Sequence, residues 1–115
     1  MSISKKDFTS ALVKKNRFIE MVTDIRRRGE SLYIWGDGLG GRQVAFLLDS
    51  HDISYDGFAV NKSLYRQKTK TVCLEELCEH SKEHSLNLVV AFRGFTPDII
   101  NKYQHKINLY EERFS

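Results

Sequence analysis

Gly36, Gly38 and Gly41 lie in the run Leu32-Tyr33-Ile34-Trp35-Gly36-Asp37-Gly38-Leu39-Gly40-Gly41 and are spaced as G-x-G-x-x-G. Glycines at this spacing build a phosphate cradle. The first makes a tight turn, the second lets backbone approach a pyrophosphate, and the third lets a following helix pack closely on the preceding strand. Arg42-Gln43-Val44-Ala45-Phe46-Leu47-Leu48 supplies that helix, with its first amides and the positive end of its dipole directed at the ligand. Asp37, inside the turn, has the opposite chemistry. A carboxylate repels a pyrophosphate at close range and is better suited to a sugar or ribose hydroxyl. Leu39 and Gly40 complete the candidate turn, and Asn61 and Arg93 are the polar groups expected near it from other parts of the chain.

The elements that must position these residues follow from apolar periodicity. Phe8, Leu12, Ile19, Val22 and Ile25 keep helical spacing, with Lys15 as a polar break, and predict an amphipathic helix over about residues 5–28, entered at Ser4 and closed before Gly29. Ser31 to Trp35 is then a strand, Gly40 to Ser50 a helix and Ile53 to Val60 a second strand, a β-α-β unit with the glycine turn at its first bend. Asn61 to Thr71 is polar and basic and reads as a surface loop. Thr71 to Cys73 reads as a short extended piece before a helix at about Leu74 to Glu83. The continuous apolar run Asn87 to Phe92 predicts a strand buried on both faces. Thr96-Pro97-Asp98 opens a helix reaching about His105, and Ile107 to Tyr110 forms a last strand. The expected fold is therefore α/β: a Rossmann-like three-layer sandwich with a mostly parallel sheet of about four to five strands, preceded by the N-terminal amphipathic helix. Residues 1–30 hold that helix and residues 31–115 the nucleotide-binding domain.

Three ligand classes use such a turn. An NAD site places an acid near the end of the second strand for the ribose hydroxyls, but this strand ends Val60-Asn61-Lys62. Asn61 is able to donate and accept to a ribose, and Lys62 or Arg66 to meet an extra phosphate, as in NADP. S-adenosylmethionine enzymes of class I also use a glycine-rich turn, with an acid two residues before the first glycine. Ile34 occupies that position. Arg93 follows the strand Val89-Val90-Ala91-Phe92 and is expected at the carboxyl edge of the sheet, where open α/β folds bind ligands.

The succession IWGDGLGGRQVAFLL, ISYDGFAVNKS and TVCLEEL resembles the small Rossmann-like domains of bacterial surface-carbohydrate enzymes. Such domains occur at the N-termini of some FkbM-type methyltransferases and polysaccharide biosynthesis proteins, and in PglD-type sugar acyltransferases. The resemblance covers about residues 31 to 105, with Asp37 standing where that pattern often has alanine. It implies that the domain binds a nucleotide or nucleotide sugar while another domain supplies the chemistry, so no catalytic residue is expected here.

Composition narrows the alternatives. A chain of 115 residues, 41% hydrophobic and 29% charged, has material for one globular core and none for a second catalytic domain. The net charge of +3 is unevenly spread: residues 1–30 carry eight Lys/Arg against four Asp/Glu, and the remainder ten against eleven. That basic excess is expected on the wet face of the first helix rather than on nucleic acid, for no nucleic-acid motif accompanies it. No run approaches the roughly 18 apolar residues of a membrane span. No secretion signal is evident, so a cytoplasmic location with Cys73 and Cys78 as reduced thiols is expected.

Two other constellations are set aside. Cys73, Cys78, His80 and His84 have zinc-ligand types, but the cysteine and histidine pairs lack the loop that wraps a metal. Glu75, Glu76, Glu79 and Glu83 read as a solvated helix face, while Phe8, Phe18, Trp35, Phe46, Phe58 and Phe92 read as core. The competing expectation for the whole chain is an assembly module with a vestigial turn, dimerising or docking on another domain through the N-terminal helix.

Overall fold

The structure, a computed structural model, describes residues 17–68, 70–81, 86–91 and 97–111, with Pro97, Ile99 and Glu111 described by their backbone alone. Five strands, β1 (Ser31–Trp35), β2 (Gly57–Val60), β3 (Thr71–Cys73), β4 (Leu86–Val90) and β5 (Ile107–Glu111), form one sheet in the order β3-β2-β1-β4-β5. Every pairing is parallel. That order matches the first five strands of a Rossmann sheet, with the direction of winding reversing between β1 and β4. The expected α/β sandwich is thus present, and its sheet is parallel throughout the described residues.

Helices cover both faces because successive side chains of a strand point to opposite sides. Leu32 and Ile34 of β1 and Val89 of β4 face a layer made by α1 (described over residues 17–27) and α2 (Leu39–Ser50), whose Phe18, Val22, Ile25, Val44, Ala45 and Leu48 are buried there. Trp35 of β1 and Leu86 and Leu88 of β4 face the other layer, α3 (Leu74–His80) and α4 (Pro97–Tyr103), with Leu74, Cys78 and Tyr103. The apolar stripe of α1 therefore covers its own sheet at residues 18, 22 and 25. Phe8, Leu12 and Lys15 of that stripe lie outside the described residues, as do the expected helix entry at Ser4, the cap at Thr96, and Phe92, Glu83 and His84.

Several boundaries differ from expectation. The second strand begins at Gly57 rather than Ile53, because α2 ends in a tight left-handed turn. Asp52 has φ 55°, and Ile53 N–H donates back to Leu48 O at 2.9 Å, which leaves residues 53–56 to regain the sheet. β4 begins one residue early, at Leu86, and α4 ends at Tyr103. The basic segment after β2 contains a single 3-10 turn, Lys62–Leu64. Phe46 is not core: it is 74% exposed on the outer face of α2, since Val44, Ala45 and Leu48 already fill the inner one.

The amino-terminal edge of the sheet is clamped by polar side chains. Asn87 of β4 is fully buried, and its amide donates to Ser31 O at 2.9 Å and Glu30 Oε1 at 3.2 Å. Its Oδ1 accepts from Tyr110 Oη at 3.2 Å and Asn108 Nδ2 at 3.3 Å. Arg28, and then Asn87, hold the Glu30 carboxyl below its ordinary range by hydrogen bonding. Nearby, Asp56 Oδ2 accepts both Leu32 N–H and Arg26 Nη1 at 2.9 Å, tying the start of β1 to the end of α1.

Candidate functional site

At the carboxyl edge of the sheet the backbone does what side chains do at the other edge. Gly36 follows the last residue of β1 and adopts φ +115°, a conformation that side chains rarely take. Its N–H still donates to Ala59 O at 2.9 Å, so the chain turns while anchored to β2. α2 starts three residues later, and its first turn is pressed onto the strands. A Cβ on Gly41 would sit 2.0 Å from Gly36 O, and one on Gly40 would sit 2.4 Å from Ala91 O, just beyond β4. The third glycine of the motif therefore has the role its spacing predicts, close helix-to-strand packing. Gly40 holds the same helix against the neighbouring strand.

Gly38 is different. It is the N-cap of α2, extended at φ −81° and ψ −156°, with no side-chain cap and no acid in the first helical turn. An added Cβ there would have nothing within 4 Å. Open space thus lies beside the positive end of a 12-residue helix, next to the point where the winding reverses between β1 and β4. Leu39, the next residue, is 75% exposed. The turn is thus exposed at Gly38 and Leu39 and closed at Gly41, which is buried.

Asp37 faces out of this turn and is met from the β2–β3 connection. Lys68 Nζ lies 3.3 Å from its Oδ2, with the two side chains 56% and 33% exposed. Asn61, expected as a ribose partner, sits where β2 ends. Its Oδ1 accepts the indole N–H of Trp35 at 2.8 Å, which leaves its amide group as the hydrogen-bonding function not used by Trp35. Trp35 is 2% exposed and belongs to the core, as expected. Arg93 lies outside the described residues.

Two side chains that shape this edge were not singled out by sequence reasoning in these roles. Lys68 is one of four basic residues in a polar loop, and nothing in its spacing distinguishes it from Lys62, Arg66 or Lys70. Glu75 was assigned to a solvated face, but it is half-buried. Its Oε2 accepts Lys62 N–H at 2.7 Å, and its Oε1 is buried with no hydrogen-bond partner. Being the second residue of α3, directly after β3, it reaches the loop following β2 because β2 and β3 are neighbours. The other acids behave as expected of an outer face: Glu76 is exposed, and exposed Glu79 accepts from Tyr103 Oη at 2.9 Å.

No family model matches the chain, and no curated protein or solved structure matches it either. The chemistry of the site is consequently read from its own residues. Among the described residues no three His, Cys, Asp or Glu side chains gather as metal ligands. Cys73 and Cys78 are free and buried, and burial pushes the Cys78 thiol up from 9.0 to about 11, a shift that makes it a poor nucleophile. No helix of the described residues is long and apolar enough to cross a membrane.

Proposed function

We propose that this domain binds a nucleotide or nucleotide sugar through Gly36, Asp37, Gly38, Leu39, Gly40 and Gly41, with Asn61 at the ribose end and chemistry carried out by another domain or chain. The observation that supports this reading most is the division of labour among the glycines. Gly40 and Gly41 are closed to any Cβ by backbone carbonyls, while Gly38, which precedes them, opens onto free space at the helix N-cap. Ser, Thr or Asp at that cap stabilises a helix by only a few tenths of a kcal/mol more than glycine, but each puts a side chain into the space through which a phosphate reaches the helix amides. The sequence resemblance to surface-carbohydrate enzymes points to a nucleotide sugar as the ligand and to a transferase, such as a methyltransferase or acyltransferase, as the parent activity. NAD(P) is the alternative cofactor.

The test is thermal melting with millimolar UDP-glucose, NAD, NADP, coenzyme A and S-adenosylmethionine, for the wild type and Gly38→Asp. A ligand at 100 times its dissociation constant stabilises by about 2.7 kcal/mol. Gly38→Asp is a favourable probe because the position has room, and aspartate at an N-cap stabilises a helix by about a few tenths of a kcal/mol more than glycine. The variant should melt at least as high as the wild type without ligand and lose the ligand-induced shift. Flat curves for the wild type with every ligand would refute nucleotide binding.

A second reading, an assembly module with a vestigial turn, draws on Leu39 and Phe46. These two large apolar residues are exposed 75% and 74% on α2, two helical turns apart and therefore on one face. Light scattering of the wild type and Phe46→Ser separates the readings: self-association lost in the variant, together with flat melting curves, favours assembly.

A further inference from the structure

We infer that Lys68 is the phosphate-neutralising residue of the glycine turn and that Asp37 is its counter-ion while the site is empty, so that an anionic ligand binds by taking Lys68 from Asp37. This deepens the nucleotide-binding reading and rests on it. The geometry begins with Asp37, which the turn places between Gly36 and the open Gly38. A carboxylate at that place sets a negative charge against any phosphate approaching the first amides of α2, and the positive helix end offsets only about half an elementary charge. The Lys68 ammonium, 3.3 Å away, is the cation that the described structure brings to this carboxylate.

The other basic residues of the same connection are committed elsewhere or point to no such contact. Arg66 donates to Tyr65 O, its own neighbour, at 2.9 Å. Lys70 lies over the Tyr55 ring, 5.6 Å from its centroid. Lys62 is held to Glu75 through its backbone N–H. Among the described residues of the β2–β3 connection, Lys68 is the one whose side chain reaches across to the turn after β1, which lies beside it because β1 and β2 are adjacent. Its connection carries no helix beyond one 3-10 turn, so the lysine stem is held by a short loop rather than by a packed crossover.

The charge accounting identifies what kind of ligand suits the pair. With Lys68 on Asp37, the pair is neutral and the helix end is free. A phosphate that draws the ammonium onto itself must share the neighbourhood with a released carboxylate, so ligands of low charge gain little and a pyrophosphate gains more. Both side chains are partly solvated, 56% and 33% exposed, which lets them separate without a buried charge being stranded. The ligand class is thus a nucleoside diphosphate or its sugar ester, with binding weakened by salt.

Isothermal titration with ADP, UDP-glucose and inorganic pyrophosphate, with uridine and adenosine as uncharged controls, tests this on the wild type, Asp37→Asn and Lys68→Gln. Asp37→Asn should tighten the diphosphates about tenfold, the size expected for removing one like charge a few ångströms away in a partly solvated site. Lys68→Gln should weaken them by a similar factor, and neither change should move the nucleosides. Diphosphate affinities equal in all three proteins would overturn the assignment of Lys68 and Asp37 while leaving nucleotide binding intact. No binding by any of the three proteins would overturn nucleotide binding itself, and the inference with it. Melting of each ligand-free variant near the wild-type temperature is expected for a partly solvated ion pair and certifies the comparison.

Discussion

Gly41→Ala is the substitution that best tests whether the glycine turn is a packed device. The new Cβ would stand 2.0 Å from Gly36 O, whereas ordinary contact begins at 3.4 Å, so α2 and the turn must part by roughly 1.4 Å. Neither partner yields easily. Gly36 is pinned to β2 through Ala59, and α2 is fixed by the buried Val44, Ala45 and Leu48. Overpacking of this kind costs about 1–3 kcal/mol, and a rigid carbonyl opposite the methyl places it at the upper end. A gap of 0.5–1 Å behind the displaced helix also forfeits a quarter to a half of each dispersion contact. Alanine in a helix returns about 1 kcal/mol, which leaves a net loss of about 2 kcal/mol. For a domain of this size that lowers Tm by about 8 °C. Gly38→Ser is the matched control. With no atom within 4 Å and an N-cap backbone, it should gain a few tenths of a kcal/mol. Differential scanning calorimetry of both variants decides the point, and a Gly41→Ala protein melting within 2 °C of the wild type would refute the close packing of α2 on the turn.

Asp52→Gly should raise stability by about 0.5 kcal/mol, seen as a higher urea midpoint at constant slope, because residue 52 is left-handed at φ 55° and glycine takes that conformation without the clash of a Cβ. Asn87→Leu removes a fully buried amide that makes four hydrogen bonds, the one to Ser31 O among them. A loss of about 2–4 kcal/mol in chemical denaturation is expected. Burial holds the Cys78 thiol neutral up to about 11 in the folded chain, against 9.0 as its ordinary value. Between those values the unfolded thiol releases its proton first, so stability should fall as pH rises from about 9 towards 11. Cys78→Ala should flatten that part of the pH–stability curve even though it lowers the curve as a whole, and native Cys78 should resist thiol reagents until unfolding.

The sheet was legible because its signals are local. The apolar run Leu32 to Trp35, the glycine spacing that follows and the apolar run Asn87 to Phe92 each identify an element without reference to its neighbours. Element ends were less legible wherever a turn depends on one unusual residue, as at Asp52, whose left-handed conformation is not demanded by its side chain. Phe46 was misplaced by type: helical spacing puts residues 44, 45 and 48 inward, and at 46 the phase outweighs hydrophobicity. Within the site, the roles of Gly36 and Gly41 could be read from spacing because backbone contacts along one β-α turn are local, whereas Gly40 meets Ala91, from the far side of the β1–β4 pair. Lys68–Asp37, Trp35–Asn61 and Lys62–Glu75 join positions 31, 26 and 13 residues apart. Such pairs exist only once the strand order is set, and the order β3-β2-β1-β4-β5 is a tertiary fact.

The two edges of the sheet divide stability from recognition. At the amino edge, Asn87, Glu30, Asp56 and Arg26 lock β1, β4, β5 and α1 together through side chains, several of them at least partly buried. The carboxyl edge has few side chains to lock: its turn is built from Gly36, Gly38, Gly40 and Gly41, and the charged pair upon it is partly solvated. Open sheets take ligands at their carboxyl ends, and a backbone-lined turn can be left open there only if rigidity comes from elsewhere. The arrangement makes the two classes of substitution separable. Changes at Asn87 should lower stability with little effect on diphosphate affinity, because the amide lies at the opposite end of the strands from the turn. Changes at Asp37 or Lys68 should do the reverse. A variant at Asn87 that alters affinity at temperatures well below its melting point would show that the clamp also sets the shape of the turn, through the β1–β4 ladder that runs from Ser31–Leu86 to Trp35–Val90.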